Sequence, residues 1–355
     1  MSLEEYRKKI DETDAQIVKL VAERIRRSKD IGKEKQKLSK KILDNGREEQ
    51  VLANVRAIAR HERINEKDVE GLYRQIIQLS RGVQGIVIAF QGELGAYSEE
   101  AAVQIFSASA KVQPYETLDA VFKAVESGEV PYGVVPVENS LEGSISHSYD
   151  LMLNSSLKVC GETELRIVHC LIANEGTTLD SIKKIYSHPQ ALGQSGAFLK
   201  HLNAELIPSY DTAGSVKMIK EKGILDGAAV AGARAAEIYG MKILARGIED
   251  NQNNFTRFFV LAREDAPATG KDKTSIVFSV KHKPGALFSA LKAFAESKVN
   301  LTKIESRPTR QRAWEYNFYL DFEGHREDEA IKQVLEKVDK YCLFLKVLGS
   351  YPKAT

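Results

Sequence analysis

The sequence predicts a multidomain protein, with an all-α segment first, an α/β segment second and an α+β segment last. Three hydrophobic periodicities follow one another without mixing. Length agrees, since 355 residues exceed what one core ordinarily supports. With 43% apolar and 28% charged residues, the composition is that of a globular chain.

The first segment, Ser2 to about Arg81, lacks proline and has glycine only at Gly32, Gly46 and Gly71. Ser2 with Glu5 makes a capping-box pattern, and Leu3, Tyr6, Ile10, Ile17, Leu20, Val21 and Ile31 form an apolar stripe. The first helix should run to about Lys37, a second should start after Asp44, and a third after Asn65, whose side chain can cap it. So long a helix cannot bury its stripe against two short neighbours, which predicts a second chain against it.

The pattern breaks at Gly82 to Gly85, and "IVIAF" opens a run of short strands alternating with helices, to about Arg263. Strand-like pieces fall at Ile86 to Phe90, Gly133 to Val137, Ile185 to Tyr186, Ala228 to Ala231 and Phe258 to Ala262. In open α/β sheets ligands sit beyond the carboxyl ends of strands, so the polar turns there are the candidate sites. After a polar linker, Glu264 to Asp272, the pattern reads strand, helix, strand, strand, helix, strand, a ferredoxin-like unit.

The balance of 51 basic and 49 acidic residues gives no general footprint for nucleic acid or membrane. The N-terminus has no apolar signal core and no stretch nears the roughly 20 apolar residues of a span, so a cytoplasmic protein is expected. Cys160, Cys170 and Cys342 share no zinc or redox spacing and read as reduced, structural residues.

On the first helix, Arg24 and Lys35 project from one face about 16 Å apart. Arg7 lies about 25 Å from Arg24 along the axis, too far to share a small ligand with it in one chain. If one anion takes all of them, Arg7 comes from a second subunit. Asp44, Arg47 and Glu48 share a helical face, as do Ser80 and Gln84. Taken alone, these are solvated charges. The pattern "YRKKIDETDAQIVKLVAERI", "IGKEK", "LDNGREEQV" and "IIQLSRGVQ" resembles the all-helical chorismate mutase domain over residues 1–84. That resemblance implies an intertwined helical homodimer. Arg7, Arg24 and Arg47 would hold the substrate carboxylates, Lys35 and Gln84 the ether oxygen, and Asp44, Glu48 and Ser80 would complete the pocket. A Claisen rearrangement needs no nucleophile, only a held conformer and stabilised charge on the breaking bond.

In the second segment, "FQGELGAYS", "VPVENSLEGS", "SHPQALGQS" and "YDTAGS" each read singly as an ordinary turn or helix cap. Together with "NNFTRFF" they resemble prephenate dehydratase, over a domain at 85–264. The resemblance implies a two-lobed, periplasmic-binding-protein-like α/β fold with a site in the cleft. It would be built from Glu138, Asn139, Ser140, Ser187, Gln194, Thr212, Thr256 and Arg257. Thr256 would donate to the departing hydroxyl and Arg257 would grip a carboxylate as a planar fork, with Glu138 or His188 relaying the proton. Ser195 stands where the family often has cysteine, and Ser215 where alanine is frequent.

In the third segment, "KPGALFSAL" and "NLTKIESRP" resemble the ACT regulatory domain, here 272–355. The resemblance implies phenylalanine bound between two such domains through Gly285, Ala286, Leu287, Asn300, Leu301, Glu305, Ser306 and Arg307. The expected whole is a bifunctional enzyme of phenylalanine biosynthesis, converting chorismate to prephenate to phenylpyruvate without metal or organic cofactor and inhibited by L-phenylalanine. Two alternatives stand beside it: a monofunctional dehydratase whose helices only dimerise, and a two-lobed binding module for aromatic acids.

Overall fold

A computed structural model describes residues 2–37, 45–82, 86–107, 110–309 and 315–354. The chain divides into two compact units, Met1–Val87 with Val103–Lys111, and Ile88–Ala102 with Val112–Thr355.

In the first unit, α1 (Leu3–Lys37), α2 (Asn45–His61) and α3 (Glu66–Gly82) follow the predicted boundaries. The capping box forms, Ser2 N donating to Glu5 Oε2 at 2.6 Å and Glu5 N to Ser2 Oγ at 3.2 Å. Asn65 Oδ1 accepts from Lys67 N at 2.9 Å, capping α3. Leu52, Val55 and Ala59 of α2 and Ile77 of α3 are buried. On α1, by contrast, Leu3, Tyr6, Ile10, Ile17, Leu20 and Ile31 are each more than half exposed.

After the three helices come β1 (Val87–Gln91), α4 (Tyr97–Phe106), β2 (Lys111–Tyr115), α5 (Leu118–Ser127), β3 (Tyr132–Asn139), β4 (Gly143–Ser144), α6 (Ser146–Asn154) and β5 (Lys158–Arg166). A second run holds β6 (Cys170–Ala173), β7 (Lys184–Ser187), α7 (Pro189–Gln194), α8 (Gly196–Leu199), β8 (Glu205–Pro208), α9 (Thr212–Glu221), β9 (Gly227–Ala231), α10 (Ala233–Tyr239) and β10 (Lys242–Arg246). The chain then returns through β11 (Phe255–Ala262), making two lobes. One sheet runs β2-β1-β3-β11-β5, with β4 on β3, and the other β10-β6-β9-β7-β8. Gly95 closes the β1–α4 turn at φ 91°, and a Cβ there would lie 2.6 Å from Ala235 Cα, so only glycine fits.

The last part reads β12 (Asp272–Val280), α11 (Ala286–Glu296), β13 (Leu301–Pro308), β14 (Tyr316–Glu323), α12 (Glu329–Asp339) and β15 (Cys342–Pro352), with sheet order β13-β14-β12-β15. Strand alternation gives this sheet one apolar and one polar face. Ile276, Phe278, Leu320 and Phe322 pack in the core beside Phe294 and Val334 of the two helices. Lys273, Lys303, Arg307, Tyr319 and Asp321 turn the other way, onto the first lobe's residues. At Gly349 a Cβ would stand 2.1 Å from Val159 O, so β15 reaches β5 only because that position has no side chain.

Sequence reasoning did not find β2, β5, β6, β8 or β10. It also started β11 too late: the strand begins at Phe255, which places Thr256 and Arg257 inside it, on opposite faces.

Candidate active site

A cleft in the second unit encloses a cavity of about 190 Å³. Asn139 and Thr256 line it, as a cross-strand pair between β3 and β11. Asn139 Oδ1 accepts from Leu141 N and Glu142 N, each at 3.0 Å, which fixes the amide's orientation. Its Nδ2 therefore donates, to Asn254 Oδ1 at 2.7 Å and to Thr256 Oγ1 at 3.0 Å. With its oxygen accepting that bond, the Thr256 hydroxyl keeps its proton to donate. Asn254 Nδ2 in turn donates to Gln194 Oε1 at 2.8 Å, and His169 Nε2 meets the same oxygen at 3.1 Å. This chain of amides holds both walls of the cavity.

Gln91, Tyr97, Ser98, His188, Gln190, Asp211 and Thr212 complete the polar lining. No lysine or arginine is among the described lining residues. The amino ends of α4 and α9, each of ten residues, open onto the cavity at Tyr97 and Thr212, with Glu99 and Glu100 in the first turn of α4 and Asp211 capping α9. Burial pushes the Asp211 carboxyl up, against the cap bond it accepts from Gly214 N at 2.7 Å. Burial likewise lowers the His169 imidazole, against its bond to Gln194, favouring the neutral ring. Its Nδ1 lies 2.8 Å from Tyr97 Oη.

Several sequence-derived site residues sit elsewhere. Arg257 was expected to grip a substrate carboxylate, but alternation turns it to the far face of β11. There its Nε donates to Glu162 at 2.8 Å, Nη1 to Asp321 at 2.5 Å and Nη2 to Tyr351 Oη at 3.1 Å. Burial would lower this guanidinium, but Asp321, Tyr351 and Glu162 outweigh it and hold it well above its ordinary value. Glu138 shares that face and pairs with Lys303 at 2.9 Å, which removes it from any relay in the cavity. Ser187 is buried and donates to Val230 O at 2.6 Å, while Ser140 donates to Asn253 O at 2.8 Å, bracing the turn before β11. Neither lines the cavity. Ser195 is also buried, its Oγ without a hydrogen-bond partner, as suits a position that accepts a thiol.

His169 and Asp211 were missed as site residues. A signal existed for His169, which stands at the mouth of apolar strand β6 as Thr256 stands near the start of β11.

In the first unit, Arg24 Nη1 donates to Ser80 Oγ and, at 3.3 Å, to Ile76 O. Burial lowers this guanidinium, with Tyr73 and Glu48 acting against it, so Glu48 shares its surroundings. Arg47 is exposed and donates to Gln50 Oε1 at 3.2 Å, and Arg7 is exposed on α1. Asp44, Gln84 and the Lys35 side chain lie outside the described residues.

A larger cavity, about 630 Å³, opens beside α11. Ala286 and Leu287 line it with Tyr316, Phe318, Phe344 and Lys346. Gly285, Asn300, Leu301, Glu305, Ser306 and Arg307 do not. Leu301 packs against the core of the third sheet, and Asn300 and Ser306 are exposed. Glu305 and Arg307 project onto the first lobe, bonded to Ser144 and Asp150.

Three family models match in chain order: chorismate mutase type II at residues 6–85, prephenate dehydratase at 88–266 and the ACT domain at 274–340. The chain is 39% identical over 365 residues to a bifunctional chorismate mutase/prephenate dehydratase of Aquifex aeolicus, covering 99% of this chain and 98% of that one. It is equally 39% identical, over 360 residues, to a protein of the same description from Stutzerimonas stutzeri, with the same coverage. Among solved structures, a prephenate dehydratase of Arthrobacter aurescens in complex with L-Phe matches with TM-score 0.70 and 31% identity, over 76% of this chain and 90% of that one. A chain described as a quorum quenching acylase, GqqA, also matches with TM-score 0.70, at 34% identity over 76% of this chain and 98% of its own.

Proposed function

The chain belongs to the bifunctional chorismate mutase/prephenate dehydratase family, and from that premise we propose how its residues divide the work. The boundaries we assign are 1–84 for the mutase, 85–264 for the dehydratase and 272–355 for the ACT domain.

In the mutase, Arg24 anchors a chorismate carboxylate, oriented by its bonds to Ser80 and Ile76 O. Lys35, Asp44, Arg47, Glu48 and Gln84 complete the pocket. A second copy of the chain covers the exposed α1 stripe and supplies Arg7, since the distance along α1 is too long for one small ligand. The site holds the folded conformer and stabilises charge on the breaking C–O bond.

In the dehydratase, prephenate loses carbon dioxide and its ring hydroxyl, and the gain of aromaticity drives the reaction. The ring C–carboxylate bond breaks, its electron pair enters the ring, and the C–O bond opposite breaks as the hydroxyl leaves with a proton, as water. Thr256 donates to that hydroxyl. The observation that carries this reading is the Asn139 bond, which occupies the Thr256 oxygen and leaves its proton as the donor. The amino ends of α4 and α9, with Thr212 and Gln194, hold the carboxylates. Asp211, raised by burial, can resupply the proton.

L-phenylalanine binds in the ACT cavity and lowers dehydration. The start of α11 at Ala286 and Leu287 and the Lys346 ammonium both line this cavity and suit the carboxylate of an amino acid. Chorismate supplied to the full chain, with prephenate and phenylpyruvate followed with and without L-phenylalanine, tests all three assignments. Both products should form, and phenylalanine should suppress only the second. Phenylpyruvate formation unaffected by saturating phenylalanine would remove the regulatory assignment.

A further inference from the structure

Helix α6 touches both cavities of the second unit. Ile145, its N-cap residue, lines the reaction cavity, and Leu153 and Asn154, in its last turn, line the ACT cavity. Nine residues span about 13 Å, so one rigid element joins the two sites.

Each end is tied to groups that matter to its cavity. At the amino end, Ile145 N donates to Val137 O at 2.8 Å and Ser148 Oγ to Pro136 O at 2.6 Å. Pro136 lines the reaction cavity, three residues before Asn139 on the same strand. At the carboxyl end, the Lys346 ammonium donates to the carbonyls of Met152, Leu153 and Ser155 at 3.0, 2.8 and 2.6 Å. A cation there satisfies the carbonyls that a helix end leaves open and complements the helix dipole. Lys346 comes from β15 of the ACT sheet and itself lines the ACT cavity.

Between the ends, Arg307 pairs with Asp150 at 3.2 Å, and Tyr319 Oη donates to Tyr149 O at 3.2 Å. This seam is incompletely bonded: Tyr149 Oη, Arg307 Nε and Asn317 Oδ1 are buried without hydrogen-bond partners. A seam with unmet donors and acceptors has something to gain from a second arrangement, which a fully bonded one lacks.

We propose that α6 is the element through which a ligand in the ACT cavity acts on the dehydratase cavity, with Lys346 as its trigger. All three ammonium protons are spent on α6 carbonyls. A carboxylate entering the ACT cavity competes for them, uncaps the helix, and lets it shift against the seam. Ile145 and Pro136 then move, and with them the Asn139–Thr256 pair. This inference rests on the dehydratase and phenylalanine assignments above, and its test separates their failure from its own.

In the full chain, Lys346→Met removes the ammonium but keeps the stem. Without any ligand it should lower the dehydratase rate about fivefold or more, leave the mutase rate unchanged, and be restored by Lys346→Arg. Asp150→Asn, which lines neither cavity, should keep the ligand-free dehydratase rate within about twofold. It should still bind L-phenylalanine by calorimetry, yet need about tenfold more of it for inhibition. A Lys346→Met chain with the native melting transition and full dehydratase rate would overturn the proposal. So would an Asp150→Asn chain inhibited like the native one. If the native chain binds no L-phenylalanine, the regulatory assignment fails, and the ligand-free Lys346→Met rate still decides the role of α6.

Discussion

Replacing Asn139 by aspartate changes one NH₂ to an oxygen and nothing in size, so its effects are electronic. Three donated bonds vanish, at 2.7 Å to Asn254 Oδ1, 3.0 Å to Thr256 Oγ1 and 3.2 Å to Phe255 O, while the bonds from Leu141 N and Glu142 N survive. Asn254 is fully buried, so its carbonyl loses its donor, which costs about 1–3 kcal/mol of stability. The second loss acts on catalysis. The new carboxylate accepts from Thr256 and draws its proton away from the cavity. Losing one positioned donor of this kind costs about 3 kcal/mol in the transition state, or roughly 10²-fold in rate. The assay is phenylpyruvate formation from supplied prephenate, with the mutase rate on chorismate as internal control. The expected result is kcat down about 10²-fold, KM within about threefold and mutase rate unchanged. A dehydration rate within about threefold of native in a folded Asn139→Asp chain would refute the proton inventory at Thr256.

Two further expectations follow from burial. Asp211 has its carboxyl raised by desolvation, so the folded state favours the protonated form; its contribution to stability is greatest below 3.8 and is lost as pH rises through the raised value. Asp211→Asn does not titrate and still caps α9, so its melting temperature should gain on the native chain as pH rises above 3.8; a constant gap or the opposite slope would contradict the assignment. Gly349→Ala puts a methyl 2.1 Å from Val159 O and should destabilise the second unit by about 3 kcal/mol in denaturant melts, with mutase activity retained; native stability would mean that β15 and β5 do not pack so closely.

The segment order and most element boundaries were legible because they rest on local signals. The α1 stripe, the Ser2–Glu5 box and the Asn65 cap need no tertiary knowledge. The missed strands have different causes. β2 and β8 are short and largely exposed, while β6 and β10 pair across a chain separation no local pattern reveals. Sites followed the same division. Motif position singles out Asn139, Gln194, Thr212 and Thr256, which the fold gathers around one cavity. Adjacency misled at Glu138 and Arg257, because neighbours on a strand face opposite ways and only the partner lobe shows which face is the cleft.

The central claim is that one chain carries two independent sites, one among the helices around Arg24 and one in the cleft at Thr256. Full-length Arg24→Ala and Thr256→Ala should be given chorismate in one experiment and prephenate in another, with both products followed. Arg24→Ala should leave chorismate unused yet still dehydrate supplied prephenate, and Thr256→Ala should convert chorismate and halt at prephenate. A substitution that abolishes both steps in a folded chain, or a Thr256→Ala chain that continues to phenylpyruvate, would contradict it.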